Sequence, residues 1–513
     1  MYIGTLAQSH PGKPAAIRTA TGEQRTFGEL DARSNRLAQL LHAAGLRRGD
    51  HVAMFVDNCL EFFDIAFACM RSGLYLTAVN RYLPAAEAAW IVDDCDARVL
   101  IASAALKESG ELGRLSPRCE VKLAVAGDMP GFEPFEEAIA RYPAERLSEE
   151  WLGALMLYSS GTTGKPKGIK RPLAEVSPEL GNPGVTNITN MFAVDETSIY
   201  LCPAPLYHAA PAGFTQGTIL SGGTVVLMDR FDEEQALALI ERYRVTHSQW
   251  VPSMFVRMLK ADPALRSRYD LSSHRCAIHA AAPCPQQVKR AMIDWWGPIL
   301  WEYWSSTEGA GFTRIDSEEW LAHPGSVGRA MAPIHICDDE GREQPPGTPG
   351  TIYGEAIHGA PFSYHKDEGK TLSVTHPNHP AWRTVGDIGY VDEDGWLYLT
   401  DRKAFMIISG GVNIYPQQIE DALALHPKLA DVAVIGVPSE DLGEEVKAVV
   451  QPAPGVEPGE ELAEEIRVYV RERLGKLMTP KSVDFMDELP RLPTGKLYKG
   501  ALREKYWGKT AKG

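Results

Sequence analysis

The segment Tyr158-Ser-Ser-Gly-Thr-Thr-Gly-Lys-Pro-Lys-Gly168 sets three glycines, four serine or threonine hydroxyls and two lysines within eleven positions. Each type has a use against a polyphosphate. Glycine lets backbone N–H groups come close to an anion, hydroxyls donate to phosphate oxygens, and lysines neutralise charge. The apolar run Leu155-Met-Leu157 precedes the segment, so it leaves a strand. No G-x4-G-K-[ST] spacing can be drawn through it, so it is not a Walker loop. Composition alone fits a plain glycine-rich surface loop equally well.

The elements around this segment must position it. Thr26 and Glu29 have the spacing of a capping box, and Leu30, Leu37, Leu40 and Leu41 follow on one helical face up to the stop at Gly45. His51–Val56 reads as a buried strand and the stretch around Phe62 to Met70 as a helix. The same alternation returns with strand Thr224–Met228, helix Glu233–Tyr243 and strand Thr246–Trp250. Alternating strands and helices predict parallel sheets covered on both faces. Between about 325 and 400, Asp338-Asp-Glu-Gly341 and Glu393-Asp-Gly395 are hairpin turns, which predicts a small antiparallel sheet or barrel. Beyond Asp401 come a helix over Pro416–His426, a strand over Val432–Val437 and an amphipathic helix over Glu460–Leu474.

The expected fold class is therefore α/β with an α+β end. Residues 1–400 would form a large N-terminal domain of two α/β sheet subdomains and a small β-barrel. Residues 401–513 would form a smaller C-terminal domain. The 513 residues suit roughly three cores at about 150 residues each. Lys and Arg number 52 against 67 Asp and Glu, a net charge of −15 that disfavours a phosphate-backbone partner, so no nucleic acid is expected. None of the eight cysteines forms a CxxC pair, so neither a zinc site nor a disulfide framework is indicated. The first residues lack a basic region followed by an apolar run, and no stretch approaches 18 uncharged apolar residues. A cytoplasmic protein without an integral membrane segment is expected, and a homodimer is compatible with it.

Further segments fall in a set order. Trp304-Ser-Ser-Thr-Glu308, Thr384-Val-Gly-Asp387, Asp401-Arg-Lys403, Ile408-Ser-Gly-Gly-Val-Asn-Ile-Tyr-Pro416 and Pro493-Thr-Gly-Lys496 follow the glycine-rich loop. Together they resemble the motif series of the adenylate-forming superfamily, in its acyl-CoA synthetase branch. The resemblance covers essentially the whole chain. It implies an acid–thiol ligase that uses ATP, Mg2+ and CoA and passes through an acyl-adenylate. It implies that Ser160, Gly161, Thr162, Thr163, Gly164, Lys165 and Lys167 hold phosphate. Lys496 would bridge carboxylate and α-phosphate, Thr307 would contact that phosphate, and Glu308 with Thr163 would hold Mg2+. Ala281, Ala282, Trp304 and Ser305 would line the nucleotide, and Asp387 with Arg402 would take the ribose hydroxyls. Arg402, Lys403 and Ala404 would form a hinge that swings a mobile C-terminal domain, bringing Ser409, Gly410 and Gly411 to CoA.

The sequence departs from the family pattern in three places. Trp304 stands where a tyrosine usually stacks on adenine, and Ser305 replaces the usual glycine. Ala404 occupies the usual hinge position of Asp or Lys, and Ala280-Ala-Ala282 replaces Gly-Gly-Ala. The residues expected at the acyl pocket are Tyr207, Trp250, Met254, His279 and Ala280, with His208 a gate or wall rather than a base. They are mainly apolar and aromatic, and no acidic residue there would hold an α-amino group. A hydrophobic monocarboxylic acid is expected, either a medium- or long-chain fatty acid or a bulky ring-bearing acid. Two alternatives stand beside this reading: an acyl-AMP ligase serving a carrier protein, and a degenerate nucleotide-binding module.

Overall fold

The computed structural model describes residues 2–159, 166–181, 189–355, 362–402, 405–439, 441–491 and 497–507, with backbone alone at 401 and 402. By internal contacts the chain forms two compact units. One comprises Met1–Gln249, Tyr269–Cys276 and His358–Thr371; the other comprises Trp250–Arg268, Ala277–Ile357 and Leu372–Gly513.

In the first unit, the strand order is Glu133–Pro134, Val121–Val125, Ala97–Ser103, His51–Phe55, Tyr75–Ala78, Ala154–Leu155, and every pair is parallel. Buried on both faces, His51–Phe55 carries no polar alternation apart from its first residue. A second sheet sets Ile199–Cys202 beside Thr224–Leu227, and that strand beside Pro14–Arg18, again in parallel. The helix Phe27–Ala43 opens on the predicted capping box: Thr26 Oγ1 accepts from the Glu29 N–H, and the Glu29 carboxylate accepts from the Thr26 N–H. The helix Glu233–Tyr243 has the predicted bounds. The predicted strands and the helix over Phe62–Met70 also form, with ends moved by one residue.

In the second unit, the antiparallel segment predicted over 325–400 is present. Ile334–Cys337, Gly350–Glu355, Asp387–Val391, Trp396–Arg402, Ser326–Ala330, Phe312–Asp316 and Leu300–Ser305 pair in that order, antiparallel throughout. Asp338–Gly341 and Asp392–Gly395 close the expected hairpins, with Gly341 and Gly395 at positive φ. Beyond residue 405, Leu429–Ser439 and Gly443–Pro452 form a long antiparallel pair, which Ser482–Phe485 joins in parallel. Helix Glu460–Leu474 buries Leu462, Ile466 and Val470 against Val434, Val446 and Val450 of that sheet. This is the apolar stripe that its spacing predicts.

Among the described residues no helix is long and apolar enough to cross a membrane. All eight cysteines are free, and seven are buried.

Candidate functional site

In the first unit, the strands that flank the glycine-rich segment pair antiparallel, Ser159 opposite Lys167. The hairpin is tied down at its base, where the Tyr158 hydroxyl donates to Asp94 over 2.5 Å. Lys167 stands 5.6 Å over the Tyr364 ring, on a strand that Ser363–Tyr364 extends. Ser160, Gly161, Thr162, Thr163, Gly164 and Lys165 lie outside the described residues.

Tyr207 and His208 follow the strand Ile199–Cys202 on a loop held by Asn58, which sequence reasoning missed. The buried Asn58 amide donates to the carbonyls of Ala204 (3.1 Å) and Met228 (2.8 Å), and its oxygen accepts from the Leu206 N–H (3.0 Å). No periodic signal marks an asparagine in this role. The Tyr207 and His208 rings lie 4.2 Å apart. The Tyr207 hydroxyl and His208 Nε2 are buried without a hydrogen-bond partner among the described residues. Burial pushes the His208 imidazole down to about 4, so it is neutral at pH 7 and a weak base.

In the second unit, the strand Leu300–Ser305 alternates in burial and turns Trp304 inward. The Trp304 indole N–H donates to Asp387 Oδ2 over 2.8 Å. Asp387 opens the strand Asp387–Val391 just after Gly386, whose φ is +83°. The Gly386 N–H donates to Thr384 Oγ1 (3.0 Å), fixing the turn that delivers the carboxylate. Arg402 stands opposite Asp387 in the register of the next strand. Ser305, in place of the usual glycine, donates from Oγ to the Gly311 carbonyl (3.0 Å) and ties off the turn that holds Thr307 and Glu308. Glu308 is half-exposed. A single hard oxygen donor of this kind suits a cation that keeps waters and substrate phosphates as its other ligands.

The residues expected at the acyl pocket divide. Trp250 and Met254 are buried, and Trp250 packs against Trp296 (5.5 Å) and Phe255 (6.3 Å). His279 is fully buried beside Phe255, and its Nε2 lies 3.7 Å from Glu302. The Glu302 carboxylate takes a 2.6 Å bond from the buried Lys289 ammonium. Burial, with help from Lys289, holds the His279 imidazole well below its usual range, and neither ring nitrogen has a hydrogen-bond partner among the described residues. Burial also raises the Glu302 carboxyl, with Lys289 opposing. Lys289 and Glu302 were invisible from sequence: a Lys on a helix and a Glu on a strand, thirteen residues apart, share no periodicity. Ala280 donates its N–H to the Trp250 carbonyl (3.4 Å). The exposed Ala281 holds φ +76°, a region that glycine occupies without strain, and Ala282 follows it half-exposed.

Beyond residue 405, Ser409 and Val412 pair across Gly410-Gly411, whose φ values are +57° and +81°. Two successive positive φ values make this a type I′ hairpin turn. Lys403, Ala404 and Lys496 lie outside the described residues. The chain on either side of 492–496 is firmly held. Arg491 and Leu497 form a β-bridge, and Arg491 makes two bonds to Asp431, of 2.5 and 2.6 Å. Lys499 pairs with Glu420 at 2.8 Å.

A family model described as AMP-binding enzyme matches residues 5–360, and one described as AMP-binding enzyme C-terminal domain matches residues 418–496. A feruloyl-CoA synthase of an Amycolatopsis species is 32% identical over 491 residues, covering 94% of this chain and 94% of its own. The fatty acid–[acyl-carrier-protein] ligase ScoC of Streptomyces coeruleorubidus is 29% identical, over 99% of this chain and 96% of its own. Among solved structures, the amide bond synthetase McbA of Marinactinospora thermotolerans superposes with a TM-score of 0.82 at 26% identity, over 98% of this chain and 99% of that one.

Proposed function

From the premise that the chain belongs to the AMP-binding enzyme family, as an adenylate-forming ligase of its acyl-CoA synthetase branch, we propose that it activates a hydrophobic monocarboxylic acid and delivers the acyl group to CoA. The observation that carries the reading furthest is the direct bond between Trp304 and Asp387, with Arg402 opposite in register. Two segments 83 residues apart in sequence, both expected at the nucleotide, are bonded to each other.

A carboxylate is a poor acyl donor because its charge is delocalised and its leaving group would be oxide. Replacing that oxygen with AMP supplies a good leaving group. In the first half-reaction a carboxylate oxygen bonds to the α-phosphorus, and the bond to the bridging oxygen breaks and releases pyrophosphate. Two anions must meet, so the cost is electrostatic and positional. Lys496 bridges them, Thr307 contacts the α-phosphate, and the 160–167 loop holds the remaining phosphates. Glu308 and Thr163 would hold Mg2+, which would neutralise phosphate charge. Asp387 and Arg402 hold the ribose. In the second half-reaction the CoA sulfur bonds to the acyl carbon and AMP departs. We read residues 401–513 as the part that moves between the two steps, taking Lys496 away and bringing Ser409, Gly410 and Gly411 to the thiol. His208, neutral and half-buried, walls the acyl path and takes no proton.

The acid is a medium- or long-chain fatty acid or a bulky ring-bearing acid, in keeping with the apolar and aromatic set of Tyr207, Trp250, Met254 and Ala280. The test is AMP formation and CoA consumption across short, medium, long, aromatic and steroid acids. No turnover with any hydrophobic acid overturns the reading. Thioester formation on a carrier protein and not on CoA transfers it to the kind of acceptor named for ScoC. Lys496→Ala is expected to cut acyl-AMP formation by about a thousandfold while thioesterification of supplied acyl-AMP largely persists. Equal loss in both half-reactions would refute the two-step division of labour.

A further inference from the structure

The Trp304 indole is 7% exposed and packs with Val327, Ile336, Ile352 and Leu397. Gly311 lies against it so closely that a Cβ there would come within 2.7 Å of the indole Cζ3, and the φ of +106° at Gly311 also favours glycine. The ring is therefore locked in place, with its one polar atom turned to Asp387 Oδ2 at 2.8 Å. Asp387 is itself 8% exposed and delivered by the glycine turn at 386.

We propose that Trp304 is a positioning residue for Asp387: its indole N–H fixes the plane of the carboxylate that takes the ribose hydroxyls. The proposal rests on the adenylate-forming reading above and deepens it. A carboxylate free to rotate must be ordered when nucleotide binds, and a carboxylate already held by a donor skips that cost. A carboxylate has about four lone-pair positions, so one indole bond is compatible with further donors. Phenylalanine has no donor, and a tyrosine hydroxyl sits at the far tip of its ring rather than on its flank. The Trp at this position is thus a specific chemical solution, and its consequence is selectivity for ribose.

The test is calorimetric titration of the full-length enzyme with ATP and with 2′-deoxy-ATP, using the wild type, Trp304→Phe, Asp387→Ala and the double variant. Trp304→Phe is expected to weaken ATP about tenfold, the scale of one hydrogen bond to a charged group, and to narrow the preference for ATP over 2′-deoxy-ATP. In the Asp387→Ala background the same substitution is expected to change ATP affinity less than twofold, because the residue acts through Asp387. Equal weakening of both nucleotides, or the full loss persisting without Asp387, would assign the ring to adenine or to the fold and overturn the proposal. Should Trp304→Phe not fold, Trp304→Tyr carries the same comparison. The wild type alone checks the underlying reading. If it binds ATP and 2′-deoxy-ATP equally, the ribose role of Asp387 fails, and this inference with it. If the wild type discriminates and Trp304→Phe still does, the inference alone fails.

Discussion

The sheet segment around Trp304 and the hairpin Ile407–Ile414 both depend on glycines at positive φ, for different reasons. At Gly311 the backbone needs φ +106° and the Trp304 ring fills the space a side chain would take. At Gly411 the backbone needs φ +81°, yet among the described residues nothing lies within 4 Å of where a Cβ would be. The first glycine is demanded by packing, the second by the turn alone. The side chains follow the same division. Around Trp304 the polar groups are bonded to one another and the apolar ones are buried. On the hairpin, Ile408 and Val412 are 50% and 44% exposed, with Leu442, in the turn before the strand Gly443–Pro452, at 36%. An organised wall suits a ligand that arrives and fits. An exposed apolar turn with two glycines suits a surface that must itself be brought to a ligand.

The largest effect that would break this comparison lies under the wall. Lys289 and Glu302 form a fully buried pair beside His279. Lys289→Met leaves the carboxylate with no cation at bonding distance, and its removal is expected to destabilise the fold by about 3–5 kcal/mol, measured by chemical denaturation. The sign with pH is fixed. Burial already raises the Glu302 carboxyl, and losing Lys289 raises it further, so the folded state of the variant holds a proton that the unfolded state releases above its ordinary value. The variant's deficit is therefore smallest at low pH and grows as pH rises toward neutrality. Lys289→Met with Glu302→Met is expected to recover most of the loss. A single variant as stable as the wild type across pH 5 to 8 would mean that the wall owes nothing to this pair.

The pair also marks where the sequence stops being legible. The alternation of strands and helices, the Thr26–Glu29 box and the stripe on Glu460–Leu474 could be read because each is local, set by spacing along one element. The site residues could be named from motifs, but motif order says nothing about which side chains meet. Trp304 was expected to line the nucleotide, and its bond to Asp387 from within the core is written in no motif. His279 was expected near the acid and packs against Phe255 and Glu302. In each case a contact between distant elements decides the role, and no periodicity carries it. Asn58, which holds the Tyr207 loop through three bonds, was missed for the same reason.

A smaller effect sharpens the other side of the comparison. Valine at 411 would place a β-branched residue at φ +81°, a conformation such residues rarely adopt. Gly411→Val is expected to slow thioester formation from supplied acyl-AMP about tenfold, with a clearly smaller loss in pyrophosphate release. Because nothing among the described residues crowds position 411, the fault would lie in the turn and not in packing. An equal loss in both half-reactions would place the hairpin in the first step as well, and the contrast with the wall would disappear.

The smallest effect concerns Ala281, where the sequence breaks a local rule without an evident structural return. Its φ of +76° costs about 1–2 kcal/mol for an alanine. Glycine would remove that strain but give back about 0.5–1 kcal/mol through the greater freedom of the unfolded chain. Ala281→Gly is therefore expected to stabilise the protein by up to about 1 kcal/mol, read as a small rise in melting temperature. The residue is exposed, so the methyl group contributes little burial to offset this. If stability rises and the turnover of bulky acids is unchanged, the strain is incidental. If stability rises while selectivity among acids of different width shifts, the methyl group shapes the acyl path, and the strain is kept for what it does to the substrate.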